Sequence, residues 1–532
     1  MIKEGNKTAF QTFPEKNTSE NNYIDKQQIK SPNANGQRYV LGGSILWTAQ
    51  DPLAIANFTE LNSDGTIPVA GWGLNNMRVS RYTEANNTPQ WEFATAPNDP
   101  SVDVADAVTA VSRGTEFDIL DNATGDVLFQ YPMPDTLYAS YASLSRDGSQ
   151  AIFLAQASGN GTTSIIYSVD LSGGTPAVNW TMEVPASDIT NWTGANFSAQ
   201  GTMIVVNGRY HLYVLNSSDG TLIWDHFLSN TEAPAAISGD GAVIATADNS
   251  GFVQTWVWDS ANTEYYLLWQ YRVPAGIYTN WASSVAVSAD GSTIAAGTLM
   301  FLTSSTYDGT VITFDTYGDG TPKWLYSGLG DMVDDISLSD DGRVAAAATW
   351  GDYYSTNKTS LLVFDVDTGM PTFSVVTTGS FFSVDLSPDG SRVMAGGKAV
   401  HARDFGNGGR VTYDEINLGG GYVSGTVDLV GTSDDSGVTV KAVGTERSAV
   451  TDGSGNYLIQ NISAGTYTIR AEKPGYDFGE VSSVSVTEGN TTSGVNFSLN
   501  PSVLPAPVLS ATTGEIGDIT LSWILPPEFT NP

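Results

Sequence analysis

Two sets of residues in this sequence have the types and placement for chemistry. Asp334 and Asp335 stand together just ahead of a short apolar run, and paired carboxylates about 5 to 10 Å apart are what glycoside hydrolysis uses. Among 57 acidic residues chance proximity is assured, so placement alone singles the pair out, and solvated turn carboxylates are the plain alternative. The second set is aromatic: Tyr138, Tyr141, Trp192, Tyr278, Trp281, Trp350, Tyr353, Tyr354, Phe381 and Phe382. Tyr and Trp give large contact area at small entropic cost, so such a set suits stacking on sugar rings or docking a protein segment. Packing within the fold is the plain alternative. It is weakest for Trp350, Tyr353 and Tyr354, which sit in one Gly-, Asp- and Ser-rich stretch.

Other chemistries lack their residues. Zero cysteines exclude thiolate nucleophiles, disulfides and Cys-ligated metals. There is no Gly-x-Ser-x-Gly elbow, no P-loop, no His-Glu-x-x-His and no Gly-x-Gly-x-x-Gly followed by a helix. The three histidines, His211, His226 and His401, lie far apart, each in or beside a β-type run. They read as isolated strand or surface residues rather than as a shared metal site. The oxygens of Asp315 to Gly320 (DTYGDG), and of the Ser-x-Asp-Gly turns described below, are of the kind calcium takes. Asp and Gly make such turns without metal far more often, so the metal is left unknown and no cofactor is expected.

The chain has 532 residues, 41% of them hydrophobic and 11% aromatic, enough for roughly three packed domains. A formal charge of −34 repels phosphates and anionic headgroups, so neither nucleic acid nor membrane insertion is expected. No apolar window is long enough to span a bilayer, and the start, MIKEGNKTAF, lacks the apolar centre of a secretory signal. Five lysines fall in the first 30 residues and only five in the rest. Residues 1–38, polar and without periodicity, read as a flexible leader or linker. The acidic, lysine-poor remainder suits a salty exterior, where its self-repulsion is screened.

The elements that would position these residues repeat. A turn of the form Ser-x-Asp-Gly, or a near relative, ends a short alternating run at Gly65, Gly148, Gly201, Gly241, Gly291, Gly342 and Gly390, with Asp106 marking the one gap. Each turn is followed by a second apolar run, a third ending in an Asp- or Asn-rich turn, and a fourth carrying Trp91, Phe129, Trp180, Trp224, Trp269, Trp324 or Phe373. Four β-type runs per unit of about 40 to 50 residues predict an all-β chain of eight propeller blades over 39–417. The eighth unit lacks its fourth run, and GGSILWTAQ at 42–50 supplies it, closing the ring.

Runs such as LNSSDGTLIWDHF and LDNATGDVLFQYP resemble the repeats of quinoprotein-dehydrogenase-like eight-bladed propellers, with PQQ-like repeats, and LSPDGSRVMAGG resembles WD40-like blades. The resemblance implies architecture only. A quinone would need an aromatic floor, a calcium and basic groups for its carboxylates, and the adjacent cysteine pair that such enzymes often use cannot exist here. Residues 418–500, with SGTV, TDGSGNY, AGTYTI and KPGY in order, resemble the carboxypeptidase regulatory-like domain, a transthyretin-like β-sandwich. That resemblance implies a non-catalytic spacer in an exported protein, extracellular or on the cell surface. The segment 501–532 resembles the first two strands of a fibronectin type III domain, with Trp523 at the core position, so the chain is expected to be a piece of a longer modular protein.

In each unit the turns after runs one and three are short and fall on one face. The opposite face receives the longer connections, about 156–163, 183–192, 273–281, 299–310 and 350–360, and these hold the aromatic set. The expected function is an exported, non-enzymatic binding or adhesion protein whose long-loop face takes carbohydrate or an extracellular protein, with the sandwich as a stalk. The alternative is a secreted polysaccharide hydrolase or lyase using carboxylates in the propeller channel.

Overall fold

The computed structural model describes residues 40–190, 193–228, 235–276, 278–445, 447–462, 465–487, 490–502, 508–513 and 519–524. Among them the chain is all-β, and no helix is long and apolar enough to cross a membrane. The expected leader lies outside the described residues. Two compact units form, one from Gly42 to Asn417 and one that includes the chain from Leu418.

The first unit holds eight four-stranded sheets, seven of them in sequence order and the sixth with a short fifth strand. We number these blades 1 (54–94), 2 (101–132), 3 (137–185), 4 (194–227), 5 (236–272), 6 (281–327), 7 (333–377) and 8 (380–418 with Val40–Asp51). The last strand of blade 8 is Val40–Asp51, beside Gly409–Leu418, so the two ends of the ring share one sheet. Trp47 of that strand stacks on Tyr413 with ring centres 5.2 Å apart, and the Tyr413 hydroxyl donates to the Gly65 carbonyl of blade 1 at 2.8 Å.

The turn chemistry explains the repeat. In blade 5, Ser238 Oγ donates to Asp240 at 2.7 Å and accepts the Val243 N–H at 3.0 Å, while the same Asp240 oxygen accepts the Ala242 N–H at 2.9 Å. Gly241 closes the turn at φ 76°, a conformation that a side chain disfavours. Ser288 with Asp290, Ser339 with Asp341 and Ser387 with Asp389 repeat the serine-to-aspartate bond. Backbone bonds then join turn to turn around the ring, the Gly239 N–H donating to the Ala289 carbonyl at 2.8 Å and the Asp290 N–H to the Asp340 carbonyl at 3.0 Å.

The fourth-run tryptophans join the blades. The indole N–H groups of Trp91, Trp180, Trp269 and Trp324 donate to carbonyls of the following blade, at Asn122, Ser217, Thr316 and Val366, over 2.7–2.9 Å. Each ring lies against a turn glycine. A Cβ on Gly369 would come within 2.7 Å of the Trp324 ring, so this glycine is required by close approach as well as by its φ of 69°.

The second unit is a two-sheet sandwich. One sheet centres on Gly421–Leu429, flanked by Asn456–Ile462 and by Thr491–Thr492 and Phe497–Leu499; the other runs Ser448–Val450, Thr439–Ala442, Gly465–Glu472, Gly479–Val486. Its core includes Val423, Val440, Ile459, Ile469 and Phe497. Beyond it, Val508–Thr513 and Ile519–Ile524 pair as an antiparallel hairpin.

Candidate site on the long-loop face

Five innermost strands carry a β-bulge at the same place, leaving Asn57, Ser140, Ser283, Asp334 or Phe382 unpaired. A bulge bends the strand and re-aims the side chains beside it. In blades 7 and 8 both unpaired residues meet Trp350: its indole N–H donates to Asp334 at 2.9 Å, and its ring lies 6.3 Å edge-on from Phe382.

Around Trp350 a continuous cluster spans blades 6 to 8. Tyr278, Trp281 and Tyr307 each set an edge against Phe301, with ring centres 5.5–6.3 Å apart. The Arg403 guanidinium lies 3.6 Å above the Tyr307 ring and 5.2 Å from the Trp350 ring. It is held there by a two-pronged ion pair, 2.7 and 2.8 Å, to Asp331, which is fully buried. His401 sits edge-on to Trp350 and Tyr353, its Nδ1 accepting the Arg403 N–H at 3.2 Å and its Nε2 facing the Gly351 carbonyl at 3.1 Å. A neutral imidazole protonated on Nε2 satisfies both, and burial favours it by pushing the His401 pKa down. On this buried base Tyr353 (43% exposed) lies edge-on to His401 and Tyr354 (71%) edge-on to Tyr353, and Phe405, in the loop that supplies His401 and Arg403, is fully exposed. Tyr353 is oriented by donating its hydroxyl to Asp404 at 3.0 Å.

The expected site residues therefore divide. Tyr278, Trp281, Trp350, Tyr353, Tyr354, Phe382 and Asp334 come together here. Phe381, one residue away, is wholly buried and so offers a ligand no surface; strand alternation turns it into the core. Tyr141 and Tyr138 lie in the inner strand Leu137–Leu144 rather than in a loop. Tyr141 faces the channel carboxylates Glu60, Asp103 and Asp335, and burial raises its pKa. Trp192 lies outside the described residues. Asp334 and Asp335 diverge: Asp335 accepts the Val384 N–H of blade 8 at 3.0 Å, away from Trp350.

Asp335 belongs instead to the central channel. On the turn face a cavity of about 270 Å³ is lined from all eight blades, among them Glu60, Asp103 and Asp385. Asp103 accepts the Leu144 N–H of the next blade at 2.7 Å, and Asp385 accepts the Leu61 N–H at 2.8 Å. These carboxylates thus bond one innermost strand to the next. Desolvation pushes Asp103 and Asp335 up to about 6, and Asp385 and Asp334 up to about 7. Glu60 is raised well above the usual range by burial and by its acidic neighbours Asp385, Asp103 and Asp335. Across the mouth Arg146 of blade 3 makes a two-pronged pair, 2.7 Å for each prong, with Asp340 of blade 7.

The metal readings find little support in the geometry. Among the described residues no group of three or more His, Asp or Glu is arranged to hold a metal ion. In the Asp315–Gly320 turn the Asp315 carbonyl accepts the Gly318 N–H and the Thr316 carbonyl accepts the Trp269 indole.

Sequence reasoning missed the loop 399–408 with His401, Arg403 and Phe405, because KAVHARDFGNGGRV reads as continuous β-type runs. Its Gly406 and Gly408, ahead of Gly409, were the available signal of a long connection. Phe301 ended an apolar run, and Tyr307, though inside the long connection 299–310, was not singled out.

Comparisons with known proteins separate the two units. Residues 423–500 match the carboxypeptidase regulatory-like domain family. No curated protein matches the chain. Among solved structures, Sqt1 of Saccharomyces cerevisiae is 11% identical, covering 71% of this chain and 99% of its own with a TM-score of 0.51. Chaetomium thermophilum Sqt1 bound to the N-terminus of the ribosomal protein L10 is also 11% identical, covering 70% of this chain and 100% of its own, TM-score 0.51. A second structure of that protein is 10% identical, covering 70% and 99%, TM-score 0.52. At this identity the likeness is one of fold: a β-propeller, followed in this chain by a carboxypeptidase regulatory-like β-sandwich.

Proposed function

We propose that this chain is an exported, non-enzymatic binding protein that takes carbohydrate or a protein segment on the long-loop face of blades 6 to 8, with the sandwich as a stalk. The observation that carries this reading is the pair of exposed rings Tyr353 and Tyr354 on a base fixed by the Arg403–Asp331 pair, with the exposed Phe405 in the loop that supplies Arg403. Large apolar surface on a rigid, fully hydrogen-bonded support is what a binding hot spot needs, since little entropy is lost on contact. Export rests on the sandwich, through its family resemblance. The protein arm has a counterpart in Sqt1, a propeller seen with a protein N-terminus bound.

The test is a glycan-array and polysaccharide capture screen with the full chain, beside the double substitution Tyr353→Ala, Tyr354→Ala. Capture by the parent and its loss in the variant support the reading; equal capture by both would sink it.

A second reading, a polysaccharide hydrolase or lyase, is favoured by the convergence of Glu60, Asp103 and Asp385 with raised pKa values in one cavity. Against it, Asp103 and Asp385 already accept backbone N–H groups. Turnover of a captured polysaccharide that Glu60→Gln abolishes would establish it.

A further inference from the structure

Beside the aromatic cluster, between the outer strand of blade 6 and the sheet of blade 7, lies a cavity of about 360 Å³. Lys358 lines it, and of the lysines in the described residues only Lys358 is buried, at 5% exposure. Its ammonium group donates to the Ser355 carbonyl within its own loop, and no carboxylate among the described residues comes within ion-pair distance of it. Gly351, at φ 71°, lies flat against the lysine stem, where a Cβ would come within 2.6 Å of the Lys358 Cβ. The backbone is thus shaped around a buried cation that lacks a counter-ion, in a chain whose net charge is −34. Burying an unpaired ammonium is costly, and an anion from outside would remove that cost.

The rest of the lining says what kind of anion. Tyr326 and Phe373 supply aromatic surface, and Asn357 and Ser374 supply amide and hydroxyl groups, while the Thr372 hydroxyl donates to the Val363 carbonyl at 3.3 Å. Asp352 is also in the wall, but its carboxylate is engaged by the Tyr354 N–H at 2.9 Å. Hydroxyl and amide partners beside an aromatic face match a pyranose ring better than a peptide carboxylate. We propose that this cleft binds a uronic acid residue of an acidic polysaccharide, with Lys358 taking the sugar carboxylate. The inference rests on the carbohydrate arm of the reading above and narrows it to acidic sugars.

Saturation-transfer NMR on the full chain, with D-glucuronate, D-glucose and acetate as probes, tests it. Glucuronate should bind and glucose should bind at least about tenfold more weakly, because a desolvated charge pair is lost. Lys358→Met should weaken glucuronate by a similar factor, and Lys358→Arg should restore most of it. Equal binding of glucose and glucuronate, undiminished binding in Lys358→Met, or acetate competing as well as glucuronate would each overturn the assignment, the last pointing to a plain carboxylate such as a peptide's. Should Lys358→Met fail to fold, reductive methylation of the parent protein read by mass spectrometry replaces it: glucuronate must slow modification of Lys358 and glucose must not. The two readings fail separately. Glucuronate binding that survives Tyr353→Ala, Tyr354→Ala while capture is unaffected keeps the cleft and sinks the aromatic face; capture lost there with no glucuronate binding in the parent does the reverse.

Discussion

The two faces of the propeller are made from the same four-stranded unit, yet they use their residues in opposite ways. On the turn face the Ser-x-Asp-Gly side chains are spent within their own turns, as Ser238 and Asp240 are, the turn backbones bond to the neighbouring turns, and successive blades repeat the arrangement. On the loop face of blades 6 to 8 the long connections do not repeat: Arg403 reaches from blade 8 to Asp331 at the entry to blade 7 and lies on Tyr307 of blade 6. Repetition closes a ring, and its residues are consumed in doing so. The departure from repetition, a long loop at 399–408 that meets the recurrent bulges at Asp334 and Phe382 through Trp350, is where aromatic surface is left over for a partner.

The sharpest way to break this contrast is to compare two tryptophans. Trp324, 4% exposed, bonds the next blade through Val366 and packs on Phe364. Trp324→Ala should cost about 3–5 kcal/mol of stability, as removal of a buried aromatic does, read as a lowered denaturant midpoint with binding per folded molecule unchanged. Trp350→Ala should cost less stability and abolish capture. If the two substitutions lower stability equally, the loop-face cluster is ordinary packing.

The channel gives the next largest effect. Asp103, Asp335 and Asp385 of the channel, together with Asp334 beside Trp350, have folded pKa values of about 6 to 7 against an ordinary 3.8. The folded chain therefore holds protons that the unfolded chain releases between about pH 4 and pH 7, and stability falls as pH rises through that window. Asp51, Asp64 and Asp147 are shifted the other way, below 3.8, so their loss of stability comes only under more acid conditions. The expected change is a drop of at least a few degrees in Tm from pH 5 to pH 8. Asp385→Asn should flatten it, its amide oxygen still accepting the Leu61 N–H. A Tm that rises with pH across this range would mean that the carboxylates are paired in a way the ring geometry does not provide.

Smaller again is the stability effect on the loop face. Tyr353→Ala, Tyr354→Ala should shift Tm by less than about 2 °C, since exposed side chains contribute little to the fold, while capture falls at least about tenfold. That dissociation of stability from binding is what the contrast between the faces requires.

How much of this was legible follows from what repeats. Ser238, Asp240 and Gly241 are short-range chemistry that recurs in five turns and, in near relatives, in two more, so sequence alone places the turns and the blade order. The indole of Trp324 also recurs, but its partner Val366 lies 42 residues on, and only the ring of blades brings them together. Phe381 and Phe382 are indistinguishable in sequence; a bulge, set by backbone pairing with the neighbouring strand, buries the first and turns the second toward Trp350. Arg403 was invisible as a site residue because its meaning comes from three blades at once.

The smallest expected effect tests the turn face at its centre. Arg146 and Asp340 sit on blades 3 and 7, across the channel mouth, with side chains 39% and 27% exposed. Their two-pronged geometry is the best an ion pair can have, but both groups are open to solvent, and such pairs contribute about 0–1 kcal/mol and are screened by salt. Arg146→Ala should therefore lower stability only slightly, and the difference from the parent should vanish in molar salt. The ring is already closed by the Asp385–Leu61 and Asp103–Leu144 bonds, so the strap is redundant for closure and what it controls is access: it sets a cation where the channel would otherwise present only acids. A loss of several kcal/mol in Arg146→Ala, persisting at high salt, would show that the turn face depends on one unique contact after all, and the division between a repeating face that builds and an irregular face that binds would have to be given up.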